Sequence, residues 1–190
     1  FLFIYFNFNF MPIFLTIIGI FLGSLNRSKW LVPISSYFYL ALPFYILIYL
    51  NKHYLDGKVL ILWLLCIVCS SVSSAYIFGS IIKGKKFFPS ISPNKTWSGF
   101  TFSLLFSMLS SSIFSFYFNI VNIYKAILVG LVIGLFTVFG DLFESYLKRI
   151  NNKKDSSKLI PGHGGILDRL DGFLFAIVIM FIFILLWSNR

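Results

Sequence analysis

Ser145-Tyr-Leu-Lys-Arg-Ile-Asn-Asn-Lys-Lys-Asp-Ser-Ser-Lys-Leu-Ile-Pro-Gly-His-Gly-Gly-Ile-Leu-Asp-Arg-Leu-Asp171 is a charged segment set between two apolar runs. The chain carries only six acidic residues; Asp155, Asp168 and Asp171 lie in this segment, Asp141 and Glu144 just precede it, and Asp56 sits elsewhere. Six of the sixteen Lys and Arg residues are here too: Lys148, Arg149, Lys153, Lys154, Lys158 and Arg169. Ionisable groups between membrane-type helices are costly, so their concentration marks a functional site. The rest of the chain reads as its scaffold.

Working outward, 58% of the residues are hydrophobic and only 12% are charged, about half the charged share of a soluble domain. Apolar segments of roughly twenty residues recur, the length a helix needs to cross a bilayer. The fold class is therefore all-α, a polytopic membrane bundle. A net charge of +10 would suggest nucleic acid in a soluble protein. Here the cations fall in short loops, which favours anionic lipid headgroups or phosphorylated substrates and not nucleic acid. Cys66 and Cys69 sit one helical turn apart inside an apolar run with no second pair to complete a metal site, so they read as small packing residues. The first methionine is Met11 and no basic segment precedes the opening apolar run. A signal peptide is not supported, and a start inside a longer protein is the expectation.

The apolar runs predict six membrane helices, over 1–23, 31–50, 59–82, 97–118, 124–147 and 171–188. One alternate set of loops carries twelve cations: Arg27 and Lys29, then Lys83, Lys85, Lys86 and Lys95, then the six of the charged segment. The other set carries Lys52, Lys58, Lys125 and Arg190. Positive charge follows the cytoplasmic side. The cation-rich loops, 83–96 and 148–170, are therefore expected in the cytoplasm, with both chain ends opposite. Residues 1–70 read as N-terminal membrane helices and 71–190 as the region that carries the chemistry. Pro12, Pro33 and Pro43 fall in or near the first two spans, as kinks or ends. His53, beside Asp56, reads as a solvated loop histidine.

The third span ends in Ser70-Ser-Val-Ser-Ser-Ala-Tyr-Ile-Phe-Gly79. Small hydroxyl residues at this density let helices approach closely, and the alternative is that they line a polar cavity. Next, Ser92-Pro-Asn-Lys-Thr-Trp97 pairs a turn proline with Thr96, a candidate N-cap. Amides at that helix start, beside Lys95, suit a phosphate. A capped helix with an interfacial tryptophan explains the same residues.

Asp141, Glu144, Ser145 and Lys148 share one helical face by their spacing. Two carboxylates on one face suit a hard divalent cation such as Mg²⁺. A Glu144–Lys148 pair is the plainer reading, and it leaves Asp141 unexplained. In Ile160-Pro-Gly-His-Gly-Gly165 three glycines permit close backbone approach to an anion, and His163 is either a phosphate donor or a turn residue. Asp168 and Asp171 then open the last span, as helix-start acids or as partners of Asp141 across a cytoplasmic cleft. Carboxylates converging with Lys and Arg describe a metal-assisted phosphoryl-transfer site.

Ser145-x-Leu147-Lys148-Arg149, Lys154-Asp155-x-Ser157, Ile160-Pro161-x-His163-Gly164-Gly165 and Asp168-Arg169-x-Asp171, in that order, resemble the signature of the phosphatidate cytidylyltransferase (CDP-diacylglycerol synthase) family. Ala75-Tyr76 and Ser92-Pro-x-Lys-Thr-Trp97 look like the same family, and the similarity runs from about residue 70 to the C-terminus. The resemblance implies condensation of CTP with phosphatidate to CDP-diacylglycerol and pyrophosphate, in a plasma (inner) membrane if the source is bacterial. It implies that Asp141 and Asp168 hold a catalytic metal pair, Mg²⁺ by expectation, with Glu144 and Asp171 as further ligands or supports. Lys148, Arg149 and His163 are implied at the reacting centre, and Lys95, Thr96, Lys154, Asp155, Lys158, Gly164, Gly165 and Arg169 in substrate binding. A homodimer is expected on the same ground. The sequence departs from the family at Val72, where an Asp is usual, and at Ser98, where an acid or amide is usual. An inactive or altered homologue is thus one alternative, and a transporter with a cytoplasmic acidic site is another.

Overall fold

The computed structural model describes residues 31–54, 56–89, 91–150 and 167–188. Five helices run through them: α1 (Leu31–His53), α2 (Gly57–Ile82), α3 (Trp97–Phe118), α4 (Ile123–Ile150) and α5 (Leu167–Ser188). They coincide with the second to sixth predicted spans, and the predicted span over 1–23 lies outside the described residues. The ends differ in three informative places. Pro43 lies inside α1, which continues to His53; His53 is therefore helical and stacks on Tyr49 at 4.4 Å. The fourth helix runs past 147, so Lys148 and Arg149 occupy its last turn. The fifth begins at Leu167, so Asp171 stands inside the helix and not at its cap.

Four of these helices are long and apolar enough to cross a membrane: Gly57–Ile82, Trp97–Phe118, Ile123–Arg149 and Leu170–Trp187. Their outward faces carry exposed Leu62, Ile81, Leu109, Ile113 and Leu186. A surface this apolar suits hydrocarbon and not water, so this is an integral membrane protein. Cys66 and Cys69 also face outward as free thiols; the packing role expected of them is not the one they have.

Successive helices are antiparallel. The end of α1, the start of α2 and the turn at 119–122 lie at one end, where Lys125 of α4 stands 5.1 Å over the Trp187 ring of α5. The loop 83–96 lies at the other end with the close of α4 and the start of α5, tied there by Arg149 Nε donating to Ile91 O at 3.3 Å. The apolar core fills the first end: Leu50 from α1, Trp63, Leu64 and Ile67 from α2, Ala126, Val129 and Ile133 from α4, and Ala176, Ile177 and Met180 from α5. The second end is left for polar groups.

Small residues set the helix spacing. On α3, Gly99, Ser103, Ser107, Ser111 and Ser115 are buried at every fourth position, a small-residue stripe of the kind that lets membrane helices touch. The Trp63 indole donates to Ser111 O at 3.1 Å, and Ser111 Oγ donates to Ala126 O at 2.6 Å, linking α2, α3 and α4. Ser70 and Ser110 join their hydroxyls at 2.6 Å. Close packing, expected of the 70–79 hydroxyls, is therefore how Ser70 is used. Asn119 ends α3 in the left-handed region, its N–H returning to Ser115 O.

Candidate functional site

The loop between α2 and α3 folds on itself. Lys86 and Thr96 form an antiparallel bridge, Phe87 N–H donates to Lys95 O at 2.9 Å and Trp97 N–H to Lys85 O at 3.1 Å. Thr96 is the N-cap of α3 as predicted, accepting from Gly99 N–H at 3.2 Å. Ser98, a position of departure, is a strut: its hydroxyl donates to Lys83 O at 2.5 Å and meets Thr96 Oγ1 at 3.0 Å. These bonds fix Lys95 at the end of the bundle and aim it inward.

There Lys95 Nζ reaches Asp141 Oδ2 of α4 at 2.7 Å. Asp141, left unexplained by the plainer sequence reading, thus has a partner from a distant loop. Glu144 is buried and accepts from Lys148 Nζ at 3.0 Å, which is the predicted intrahelical pair. Across the α4–α5 contact, Asp171 stands within the field of Asp141 and Glu144, while its Oδ1 accepts from Gly172 N–H at 2.6 Å. The approach depends on glycine. A Cβ at Gly140 would lie 2.7 Å from Asp171 O, so only Gly lets α5 bring its carboxylate beside those of α4.

Adjacent helices therefore bring Asp171 of α5 toward the part of α4 that carries Asp141 and Glu144. Among the described residues these acids do not form a group of three placed to hold one ion. Their donor chemistry nevertheless fits a hard cation, being carboxylate oxygen throughout. The backbone of Asp168 and Arg169 lies in the first turn of α5, and their side chains fall outside the description. Lys154, Asp155, Lys158, His163, Gly164 and Gly165 lie outside the described residues altogether. Arg149, expected on phosphate, donates Nε to Ile91 O and so joins the 83–96 loop to α4.

Next to the ion pair opens a cavity of about 500 Å³. Ser92, Asn94, Lys95, Thr96 and Asp141 line its polar side, and Val72, Ala75, Tyr76, Phe100 and Val138 its apolar side. A lining that combines a cation and an amide with hydrocarbon suits an amphiphile. Its α2–α3 wall requires close contact, since a Cβ on Gly99 would meet Ala75 O at 2.7 Å. Val72, the other departure, is on this wall, so that substitution bears on the site itself.

Sequence reading missed Tyr39. Its ring packs edge-on to Phe175 and at a tilt to Phe143, at 6.0 and 5.9 Å. Its hydroxyl feels the charges of Asp171 and Glu144 and has no hydrogen-bond partner among the described residues. Nothing in the second span singles it out from Tyr37, Tyr45 and Tyr49. Thr137, also in the cavity wall, is likewise an unremarkable residue of a greasy helix until α2 and α4 meet.

Comparison with known proteins now bears on this geometry. The model of the cytidylyltransferase family matches residues 2–187. A Helicobacter pylori (strain J99) protein named phosphatidate cytidylyltransferase is 38% identical over 167 residues, covering 86% of this chain and 60% of the relative. Proteins of the same name from Staphylococcus haemolyticus and Bacillus subtilis are 41% and 34% identical, over 66% and 79% of this chain and 48% and 56% of theirs. The chain spans between about half and three fifths of the length of these three relatives.

Proposed function

The chain belongs to the cytidylyltransferase family, and from that premise we propose that it transfers a cytidylyl group from CTP to phosphatidate, giving CDP-diacylglycerol and pyrophosphate. The observation that carries this reading is the Lys95–Asp141 ion pair at the polar side of a half-apolar cavity. A phosphate on an acyl glycerol is the kind of substrate that uses both sides at once. The cation-rich loops and the site face the cytoplasm in this proposal, where CTP is available, and the protein acts in the bacterial plasma membrane, with a homodimer as the proposed assembly.

A phosphatidate oxygen attacks the α-phosphorus of CTP, a P–O bond forms there, and the bond to the pyrophosphate oxygen breaks on the opposite side. Lys95 exchanges Asp141 for a phosphate oxygen, supplying a charge-assisted donor in a site shielded by hydrocarbon walls. Lys148, Arg149, Lys154, Lys158, His163 and Arg169 are the proposed further contacts to phosphate, with Thr96, Asp155, Gly164 and Gly165 shaping their loops. Asp141 and Asp168 would hold Mg²⁺, supported by Glu144 and Asp171. When bound, the metal would neutralise charge on the triphosphate. Glu144 keeps Lys148 extended along α4, and the close backbone approach at Gly140 seats α5 against α4, so the protein's own groups stay oriented.

The test is purified protein in detergent with radiolabelled CTP, phosphatidate and Mg²⁺, following CDP-diacylglycerol. CTP-dependent product supports the reading, and a folded parent that forms none overturns it. A second reading, an altered homologue of weakened activity, is favoured by Val72 in the cavity wall. It expects Val72→Asp to raise the rate above that of the parent.

A further inference from the structure

Six serines are buried among the described residues: Ser71, Ser74, Ser103, Ser107, Ser111 and Ser115. Five of them donate their hydroxyl to a backbone carbonyl. Ser71 does not; its Oγ is fully shielded and has no hydrogen-bond partner. A hydroxyl buried in this state costs about 1–3 kcal/mol, and donation one turn back along α2, which Ser70 and Ser74 both make, would remove the cost. Ser71 also lines the cavity.

Its position there is informative. Gly79 lies against Thr96, where an added Cβ would come within 3.1 Å of Thr96 Oγ1, so Gly79 marks the polar mouth. Ser71 stands eight residues earlier on the same helix, which is about 12 Å further into the bundle. Lys95 reaches part of that way, to Asp141. Its lining neighbours along α2 are Val72 and Ala75, and the Thr137 hydroxyl, also in the lining, already donates to Ile133 O. An ordered water needs two to four polar partners, and the side chains of Val72 and Ala75 supply none. What suits the place is a molecule that brings one acceptor inside a hydrocarbon body, below an anionic head.

We propose that Ser71 is the donor to an ester carbonyl of the bound lipid, and thereby makes the site prefer acyl-ester over ether-linked phosphatidate. The inference rests on the reading that this cavity takes phosphatidate, and it deepens it. The phosphate lies toward Lys95, the glycerol esters toward Ser71, and the chains leave past Tyr76, which is exposed on the outer face of α2. Ser71 is a specificity-determining residue in this arrangement and touches no reacting atom.

The experiment is competition binding in detergent, displacing labelled dioleoyl phosphatidate with the unlabelled diester or with its di-O-oleyl ether, which has the same shape and no carbonyl. The parent is expected to bind the diester about five- to tenfold more tightly, the size of one neutral hydrogen bond. Ser71→Ala should lose that preference by weakening the diester alone, and Ser71→Thr, which keeps the hydroxyl, should retain it. A parent that binds both lipids equally, or binds neither, overturns the proposal, as does a Ser71→Ala variant that keeps the preference. CDP-diacylglycerol formation measured beside it separates the two readings. Product without a Ser71-dependent ester preference removes the subsite only, and the preference without product removes the transfer reading only.

Discussion

Lys95 Nζ lies 2.7 Å from Asp141 Oδ2, so that the loop before α3 and the middle of α4 share one charge pair beside the cavity. The Lys95 Nζ is itself shielded, while the Asp141 side chain stays 43% exposed. The open carboxylate leaves the pair available for exchange with a charged ligand. The pair therefore belongs to the chemistry more than to the fold.

Replacing Lys95 by Gln should accordingly separate activity from stability. CDP-diacylglycerol formation is expected to fall by about a hundredfold, the usual effect of removing one donor to a developing oxyanion. The melting temperature in detergent should move by no more than a few degrees. A parental rate in this variant would take Lys95 out of phosphate handling.

Asp141→Asn and Asp168→Asn address the proposed metal. Each removes an anionic oxygen and leaves the shape, so product formation should drop at least about a hundredfold at fixed Mg²⁺ and recover in part at higher Mg²⁺. Titration of the rate against Mg²⁺ reads this directly. An unchanged Mg²⁺ dependence in either variant would exclude that acid as a ligand.

Gly140→Ala tests the α4–α5 approach. Its methyl group would sit 2.7 Å from Asp171 O and 3.0 Å from Gly172 Cα, and overpacking of this kind costs about 1–3 kcal/mol. Thermal unfolding should shift down, and activity should fall further than the stability loss alone explains, because Asp171 moves away from Glu144 and Asp141. Gly99→Ala strains the α2–α3 wall in the same way, and there the expected extra loss is in lipid binding.

Ser111→Ala removes the 2.6 Å bond to Ala126 O without adding volume. Hydrogen bonds between membrane helices contribute about 0.6 kcal/mol on average and up to about 1.7, so a small decrease in melting temperature is expected. Ser111→Leu should be far more damaging, since the Ser111 Cβ already lies only 2.8 Å from where a Cβ on Gly130 would be. Similar melting curves for the two variants would argue against the small-residue stripe as the spacer of α3 and α4.

Much of this was legible in the chain. Apolar runs place five helices to within a few residues, because a span must satisfy its backbone within itself and cover the bilayer's thickness whatever its neighbours do. Thr96 as the cap of α3 and Glu144 with Lys148 on α4 were legible for a related reason: they are interactions between residues three or four positions apart, which one helix fixes alone. The motif residues Ala75-Tyr76, Lys95-Thr96 and Asp141 prove to line a single cavity.

The sequence by itself thus determined an all-helical membrane protein, its span boundaries, its local caps and pairs, and the family signature. Only the tertiary structure decided that Lys95 meets Asp141, that Asp171 comes within the field of Glu144, that Ser98 and Arg149 brace the loop, and that Tyr39 and Ser71 belong to the site at all. The physical reason is that, apart from the buried serine stripe of α3, lipid-facing and inward-facing positions of these helices are both largely apolar. No hydrophobic periodicity marks which face turns inward. The choice falls instead to where a glycine or serine lets two backbones touch, and that is a property of pairs of helices which neither helix's sequence contains.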